Sequence, residues 1–390
     1  MEAKSLYLVA IELLLAFCGG IYFLYRTFSK KDLLSKADIY IALLTVISSF
    51  WFALGNANGR WLSFKATLFV CCLYLSSKFP RQCMLLLGAL ALTGFLLDDV
   101  ANGVLVSKHI GENANQILII PFMLIVCAVI LYKRDNHINL MALYFVASLE
   151  IILAFIIHAR ANAISAIMLI LLLSLEKASK IFVKVGQWVP LIYIATVLIS
   201  YYVLVYDIKV ISATPSNIER SSLIFASIDH FFEYPFTGPR VEFDKLATTA
   251  MGAIDCSHIS ATGSGITGIG ITGKWLTEGA DHVFLCKPYQ NVKGVDPHNI
   301  FLSVWRDEGA LLTLLWIFAW FYYWMSLRSL KPQLDDKRIR LVLGVLSISV
   351  VQFCLSPPST GTRLMVALIM GSALGFADKR FLVKSNHLSK

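Results

Sequence analysis

The sequence predicts an all-α, polytopic transmembrane helical bundle of about eleven helices with one large loop on the outer face. Three observations predict it. Of the 390 residues, 57% are hydrophobic and 15% charged, against roughly 45–50% and about 25% in average soluble proteins. Mean hydropathy is +0.69. Apolar runs long enough to cross about 30 Å of hydrocarbon at 1.5 Å per residue recur along the chain.

These runs fall at 5–25, 38–56, 61–77, 83–98, 116–132, 139–158, 161–175, 187–206, 309–327, 340–356 and 363–378. The first, in MEAKSLYLVAIELLLAFCGGIYFLY, exceeds the core of a signal peptide and no small-x-small site follows, so a retained helix is expected. The chain divides into N-terminal transmembrane helices (1–206), a loop (207–300), and C-terminal transmembrane helices with a tail (301–390).

The connections predict the orientation. Arg26, Lys30, Lys31 and Lys36 follow the first run, and Lys78 and Arg81 the third. Lys133 and Arg134, then Lys177, Lys180 and Lys184, follow the fifth and seventh. Another cluster between Arg328 and Arg340 follows the ninth, and Lys379, Arg380, Lys384 and Lys390 end the chain. With eleven helices all of these fall on one side, which the positive-inside rule assigns to the cytoplasm. The 207–300 loop is then outside. A loop of that length is expected to carry function or to be disordered. Within it SSLIFASIDHFFEYPF spaces Leu223, Ile224, Ile228, Phe231 and Phe232 almost helically, predicting an amphipathic helix at the membrane surface.

The formal charge is +9. It is gathered into clusters between apolar runs, which is the pattern of topology signals and excludes the continuous basic face of a nucleic-acid binder. Six of eight cysteines (Cys18, Cys71, Cys72, Cys83, Cys127 and Cys354) lie in or beside apolar stretches, where they serve as small hydrophobes. Cys256 and Cys286 share the polar loop; their spacing leaves a disulfide open. The cysteines and histidines show no metal-type spacing.

Ionisable groups at membrane depth are costly and point to function. On the outer side these are Arg160, Arg220, Arg240, His298 and Arg363. A single arginine there reads as readily as interfacial snorkelling. Several together, against the positive-inside tendency, suit an anionic ligand, because the planar guanidinium matches phosphate oxygens. In DPHNIFLSVWRDEG, Asp296 and Pro297 predict a helix start at His298. The positive end of that helix favours the neutral imidazole that a general base requires. Asn299 is placed to orient a sugar hydroxyl. Glu308 lies nearly three helical turns on, with Arg306 a competing partner for it. The segment Gly263 to Gly268 matches GxGxxG, but no βαβ unit surrounds it and the dinucleotide reading is set aside.

These stretches resemble the bacterial O-antigen ligases and the related O-antigen polymerases, polytopic glycosyltransferases using lipid-pyrophosphate donors. The ligase signature is a histidine, then Asn, Ser or Gln, nine residues, Gly, two residues, and Gly, Thr or Tyr. Here His298–Asn299 is followed at that spacing by Gly309, with Leu312 in the last position. ARANAISAIMLILLL is similar to a family segment whose arginine opens a helix at its periplasmic end, matching Arg160. ERSSLIFASIDHFFEYPFTGPR resembles an arginine, amphipathic helix and aromatic-Pro-x-x-Gly turn, matching Arg220, Pro235 and Gly238. The resemblance covers roughly 150–375.

It implies metal-independent transfer of O-polysaccharide from an undecaprenyl-pyrophosphate-linked glycan donor to a lipid A–core acceptor, in the bacterial inner membrane and facing the periplasm. No cofactor is implied. Arg160 and Arg220 would stabilise the pyrophosphate, with Arg240 or Arg363 assisting, and His298 would take the acceptor's proton. Two alternatives stay open. A polymerase would join lipid-linked repeat units, and a transporter or flippase would show internal repeats and charges at the midplane.

Overall fold

The computed structural model describes residues 3–29, 36–54, 57–94, 120–132, 140–156, 160–206, 300–355 and 360–377. Among these, every regular element is helical. In chain order they are α1 (Ala3–Ser29), α2 (Lys36–Leu54), α3 (Ala57–Lys78), α4 (Pro80–Gly94), α5 (Ile120–Tyr132) and α6 (Met141–Ile156). There follow α7 (Arg160–Ser174), α8 (Glu176–Val185), α9 (Val189–Tyr206), α10 (Ile300–Leu327), α11 (Lys337–Leu355) and α12 (Thr360–Ala377). Short 3-10 segments, Gly186–Trp188 and Arg328–Gln333, follow α8 and α10.

All but α8 coincide with the apolar runs expected from sequence. Helix α8 is additional: its lysines recur every three or four residues, so its average hydropathy is low although one face is buried. Helix α10 starts nine residues before the expected 309. By length and composition, Val9–Arg26, Glu176–Ile199 and Gly309–Gln333 are each long and apolar enough to cross a membrane. Shorter apolar helices accompany them at Asp38–Ile47, Met141–Phe155, Asn162–Ser174 and Arg363–Ala377. Outward faces carry large apolar side chains, including Phe17 (67% exposed), Phe145 (70%) and Phe155 (67%). Such surface suits lipid better than water. The 207–300 loop, its expected amphipathic helix, and Cys256 and Cys286 lie outside the described residues, apart from Ile300. The six other cysteines are free thiols, and all but Cys18 and Cys71 are buried.

Helix α3 is central, packed by α1, α2 and α12. The closest approach is α3 against α12. A Cβ added at Gly371 would collide with Ser76 Oγ and the Leu73 carbonyl, and one at Gly375 with the Ser77 carbonyl. These glycines, one turn apart, are the small-xxx-small spacing that lets helix backbones meet. Ser76 Oγ then donates across the contact to the Ala367 carbonyl (3.1 Å), and Ser372 Oγ ties α12 to the carbonyl of Pro80 at the start of α4 (3.2 Å). Gly19 on α1 meets the Cys71 carbonyl of α3 in the same way.

A second core surrounds Trp324 on α10, which is fully buried. Phe182 of α8 meets it edge-on at 5.1 Å, and Gly186 lies so close that any Cβ would enter its ring. Trp320 Nε1 donates to the Gly186 carbonyl (2.9 Å), and Arg328 Nη2 to Gln187 Oε1 (2.6 Å). Tyr40 of α2 stacks on Tyr322 (6.2 Å between centroids, 9° between planes).

The Gly371→Val variant tests the α3–α12 contact. Overpacking of this kind costs about 1–3 kcal/mol, so the detergent-solubilised protein is expected to melt several degrees lower. Gly20→Ala, whose added Cβ meets nothing closer than Cys71 Sγ at 4.0 Å, is the control expected to melt as the parent does.

Candidate functional site

Among the described residues, a cluster of basic side chains gathers at one end of the bundle. There Asp38 Oδ1 accepts from Arg26 Nη1 (3.1 Å) and from Lys78 Nζ (2.5 Å), joining α1, α2 and α3. Lys78 also lies 5.2 Å from the Tyr74 ring centroid, within cation–π range. The same end gathers Pro80 with Ser372, Ser329 with Ala377, and Glu176 near Arg340. It is the basic end.

The candidate residues that the structure describes belong to the other end. Leu169 of α7 against Gly344, and Glu176 just beyond α7 near Arg340, set α7 antiparallel to α11. Arg160, the first residue of α7, is therefore remote from the basic end. Helix α12 runs parallel to α3 towards the basic end, which places Arg363, in its first turn, at the opposite one. Helix α10 runs towards the basic end too, since Ser329 beyond it meets Ala377. Its start at Ile300, directly after His298 and Asn299, is thus at the far end. Glu308 lies on α10. The side chains of Arg160 and Glu308, and Arg220, Arg240, His298 and Asn299 entirely, are outside the described residues.

Within α10 the backbone turns at Gly309, with φ 78° and ψ 179°. That region is essentially closed to any residue with a Cβ. The buried Thr313 Oγ1 donates to the Gly309 carbonyl (3.0 Å) and covers an acceptor beside the break. Hence residues 300–308 form a separate helical segment, aimed independently of the long apolar run that starts at Gly309. The glycine separated from His298–Asn299 by nine residues has a backbone reason to be glycine.

Arg363 is already engaged. Its Nε donates to Glu12 Oε1 (3.2 Å) and its Nη2 to Glu12 Oε2 (2.9 Å), a two-pronged ion pair between α12 and α1. The side chains are 14% and 2% exposed. Glu12 is roughly 21 Å along α1 from Arg26 at 1.5 Å per residue, so the pair is remote from the basic end. Sequence reasoning singled out Arg363 but not its partner Glu12.

It also passed over Glu150. This side chain is 1% exposed on α6, and the Asn162 side chain of α7 hydrogen-bonds to it. Tyr144 OH pairs with Ser174 Oγ at 3.2 Å, so α6 and α7 form an antiparallel hairpin whose Glu150–Asn162 contact lies towards the Arg160 end. Glu150 Oε2 and Ser165 Oγ are buried without hydrogen-bond partners among the described residues. Ser165 is one turn beyond Asn162 on α7. The available signal was a lone acidic residue inside each apolar run, in VAIELLLAF and VASLEIILAF.

Two stability measurements test this geometry. Glu12→Leu strands a buried guanidinium and is expected to cost roughly 3–5 kcal/mol, while Glu12→Leu with Arg363→Met removes both charges and recovers most of it. A double variant as unstable as Glu12→Leu alone would show that charge pairing is not what holds α1 to α12. Gly309→Ala is expected to cost about 1–3 kcal/mol, read from the melting temperature; an unchanged melt would mean the turn is not native.

Comparison with protein-family models, with curated proteins and with solved structures finds no match to this chain.

Proposed function

We propose that this chain is a multi-pass membrane glycosyltransferase of the O-antigen ligase type, acting at the outer face of the bacterial inner membrane. The observation that carries the proposal is Gly309. In the spacing His298–Asn299, nine residues, glycine, the glycine takes a backbone conformation that a side chain would block. The spacing therefore has a structural use: it ends the short segment that follows His298–Asn299 in sequence and starts the long apolar run. That Arg160 and the α10 start share the end remote from the basic clusters supports the same reading.

The chemistry needs an acceptor hydroxyl, an anomeric carbon and a pyrophosphate leaving group. His298 takes the proton of the acceptor hydroxyl as its oxygen bonds to the anomeric carbon. The bond from that carbon to the pyrophosphate oxygen breaks, and undecaprenyl pyrophosphate leaves with the electron pair. Arg160 and Arg220, with Arg240 beside them, offset the charge developing on the leaving group. Stabilisation of this kind is usually the largest catalytic contribution. Asn299 and Glu308 orient the acceptor. Arg363, its fork held by Glu12, braces α12 against α1 beside the site.

Leu312 stands where the ligase signature has Gly, Thr or Tyr, and this departure favours polymerase as the second reading. A deletion strain separates them. Bare lipid A–core with accumulated lipid-linked polymer indicates a ligase, and core carrying a single repeat unit indicates a polymerase. In the complemented strain, His298→Ala is expected to reduce O-polysaccharide attachment by about 10²–10⁴-fold, the usual contribution of general acid–base help. Arg220→Ala is expected to abolish visible attachment. Undiminished attachment in both variants, at parental protein levels, would overturn the mechanism.

A further inference from the structure

We infer that α8 and the start of α11 bind the phosphate headgroup of an anionic phospholipid at the basic end of the bundle. The inference rests on the membrane reading above but not on the glycosyltransferase one.

Helix α8 has three faces. The first is buried: Ser179 Oγ donates to the Leu172 carbonyl (2.8 Å), Val183 is 2% exposed, and Phe182 packs on Trp324. The second is basic, with Lys177, Lys180 and Lys184 all exposed. The third is apolar and equally exposed: Ile181 is 61% exposed, Val185 41%, and Trp188, just beyond the helix, 46%. A helix in water gains nothing from an apolar strip alongside a lysine row. At headgroup depth both are satisfied, with the ammonium groups among phosphates and the apolar strip against acyl chains.

The surroundings are electropositive. The connectors 175–188 and 328–340 carry eight basic against three acidic residues. The acidic groups are Glu176, Asp335 and Asp336, and they do not cancel the field. Glu176 pairs with Lys180 and also faces Arg340 and Asp335. Arg340 Nε is buried with no hydrogen-bond partner among the described residues. Lys184 has no acidic residue within one turn on its own helix. These cations invite an anion, and the parallel strip of Ile181, Val185 and Trp188 selects one with acyl chains. A free phosphate would use the cations and leave the strip exposed. Clusters of lysine and arginine on an amphipathic helix bind anionic headgroups.

The test uses the full chain reconstituted into phosphatidylcholine vesicles containing either brominated phosphatidylglycerol or brominated phosphatidylcholine. Bromine quenches nearby tryptophan, and the difference between the parent and Trp188→Phe isolates Trp188 from the other seven tryptophans. Quenching of Trp188 is expected at a lower mole fraction of the brominated phosphatidylglycerol. Each lysine near an anionic surface contributes about fivefold in affinity, so Lys180→Gln with Lys184→Gln should remove a preference of about 25-fold. Equal quenching by both lipids overturns the proposal, as does a preference untouched by the double variant. Loss of the preference on adding millimolar inorganic phosphate assigns the site to a soluble anion and overturns the lipid. Absence of quenching by either lipid means α8 does not reach the membrane, which overturns the inference and the membrane placement of this end together. O-polysaccharide attachment by the lysine variant is expected to be normal, so a failure of the glycosyltransferase reading registers separately.

Discussion

Much of this structure depends on the approach of α12 to α3. Apolar side chains give helices in lipid little reason to prefer each other over acyl chains, so association rests on close packing and interhelical hydrogen bonds. Gly371 and Gly375 supply the first by removing side chains where the backbones touch. Ser76 and Ser372 supply the second with hydroxyls that reach across to opposing carbonyls. With α12 seated, Tyr323 OH reaches the Met370 carbonyl at 3.1 Å and draws in α10. Helices α1, α10 and α11 are then all held directly or indirectly by one contact.

Charge is used differently at different depths. The cluster of Arg26, Asp38 and Lys78 combines two cations with one carboxylate, so it retains a net positive charge at the basic end. The Glu12–Arg363 pair is balanced and nearly sealed. Its desolvation consumes much of the Coulombic gain, so its main physical effect is to fix the register of α1 against α12. A guanidinium whose two prongs already meet a buried carboxylate is poorly suited to release it for a substrate. That separates Arg363 from Arg160, which opens α7 at the same end of the bundle.

The eleven apolar helices were legible because a span of low polarity is a property of a window of residues, and a window can be read without knowing its neighbours. Helix α8 was not legible in that way. Its amphipathic period averages to near neutrality over its length, and its buried face makes sense only against Phe182's partner Trp324, far away in sequence. Glu12 and Glu150 were visible as acidic residues in apolar runs, yet attention to basic groups at the outer boundary passed over them. Their pairing with Arg363 and Asn162 links elements that sequence order does not bring together in the first case, and neighbouring ones in the second. For the candidate site, the sequence supplied the residue types and the expectation of a shared side. The described residues supply the placement of Arg160, Glu308 and Arg363 along their helices, and the turn at Gly309.

That turn connects the fold to the chemistry. A straight α10 would fix the direction of 300–308 by the packing of Trp320, Tyr323 and Trp324 at the opposite end. The break at Gly309 uncouples the two, so the short segment's direction is set locally. The long segment is anchored by aromatic packing and by the Trp320–Gly186 hydrogen bond. The direction of 300–308 can then be set without disturbing the apolar core. Proteins place backbone of this kind where a specific orientation is worth the strain, and here it separates the apolar anchor that starts at Gly309 from the short segment 300–308.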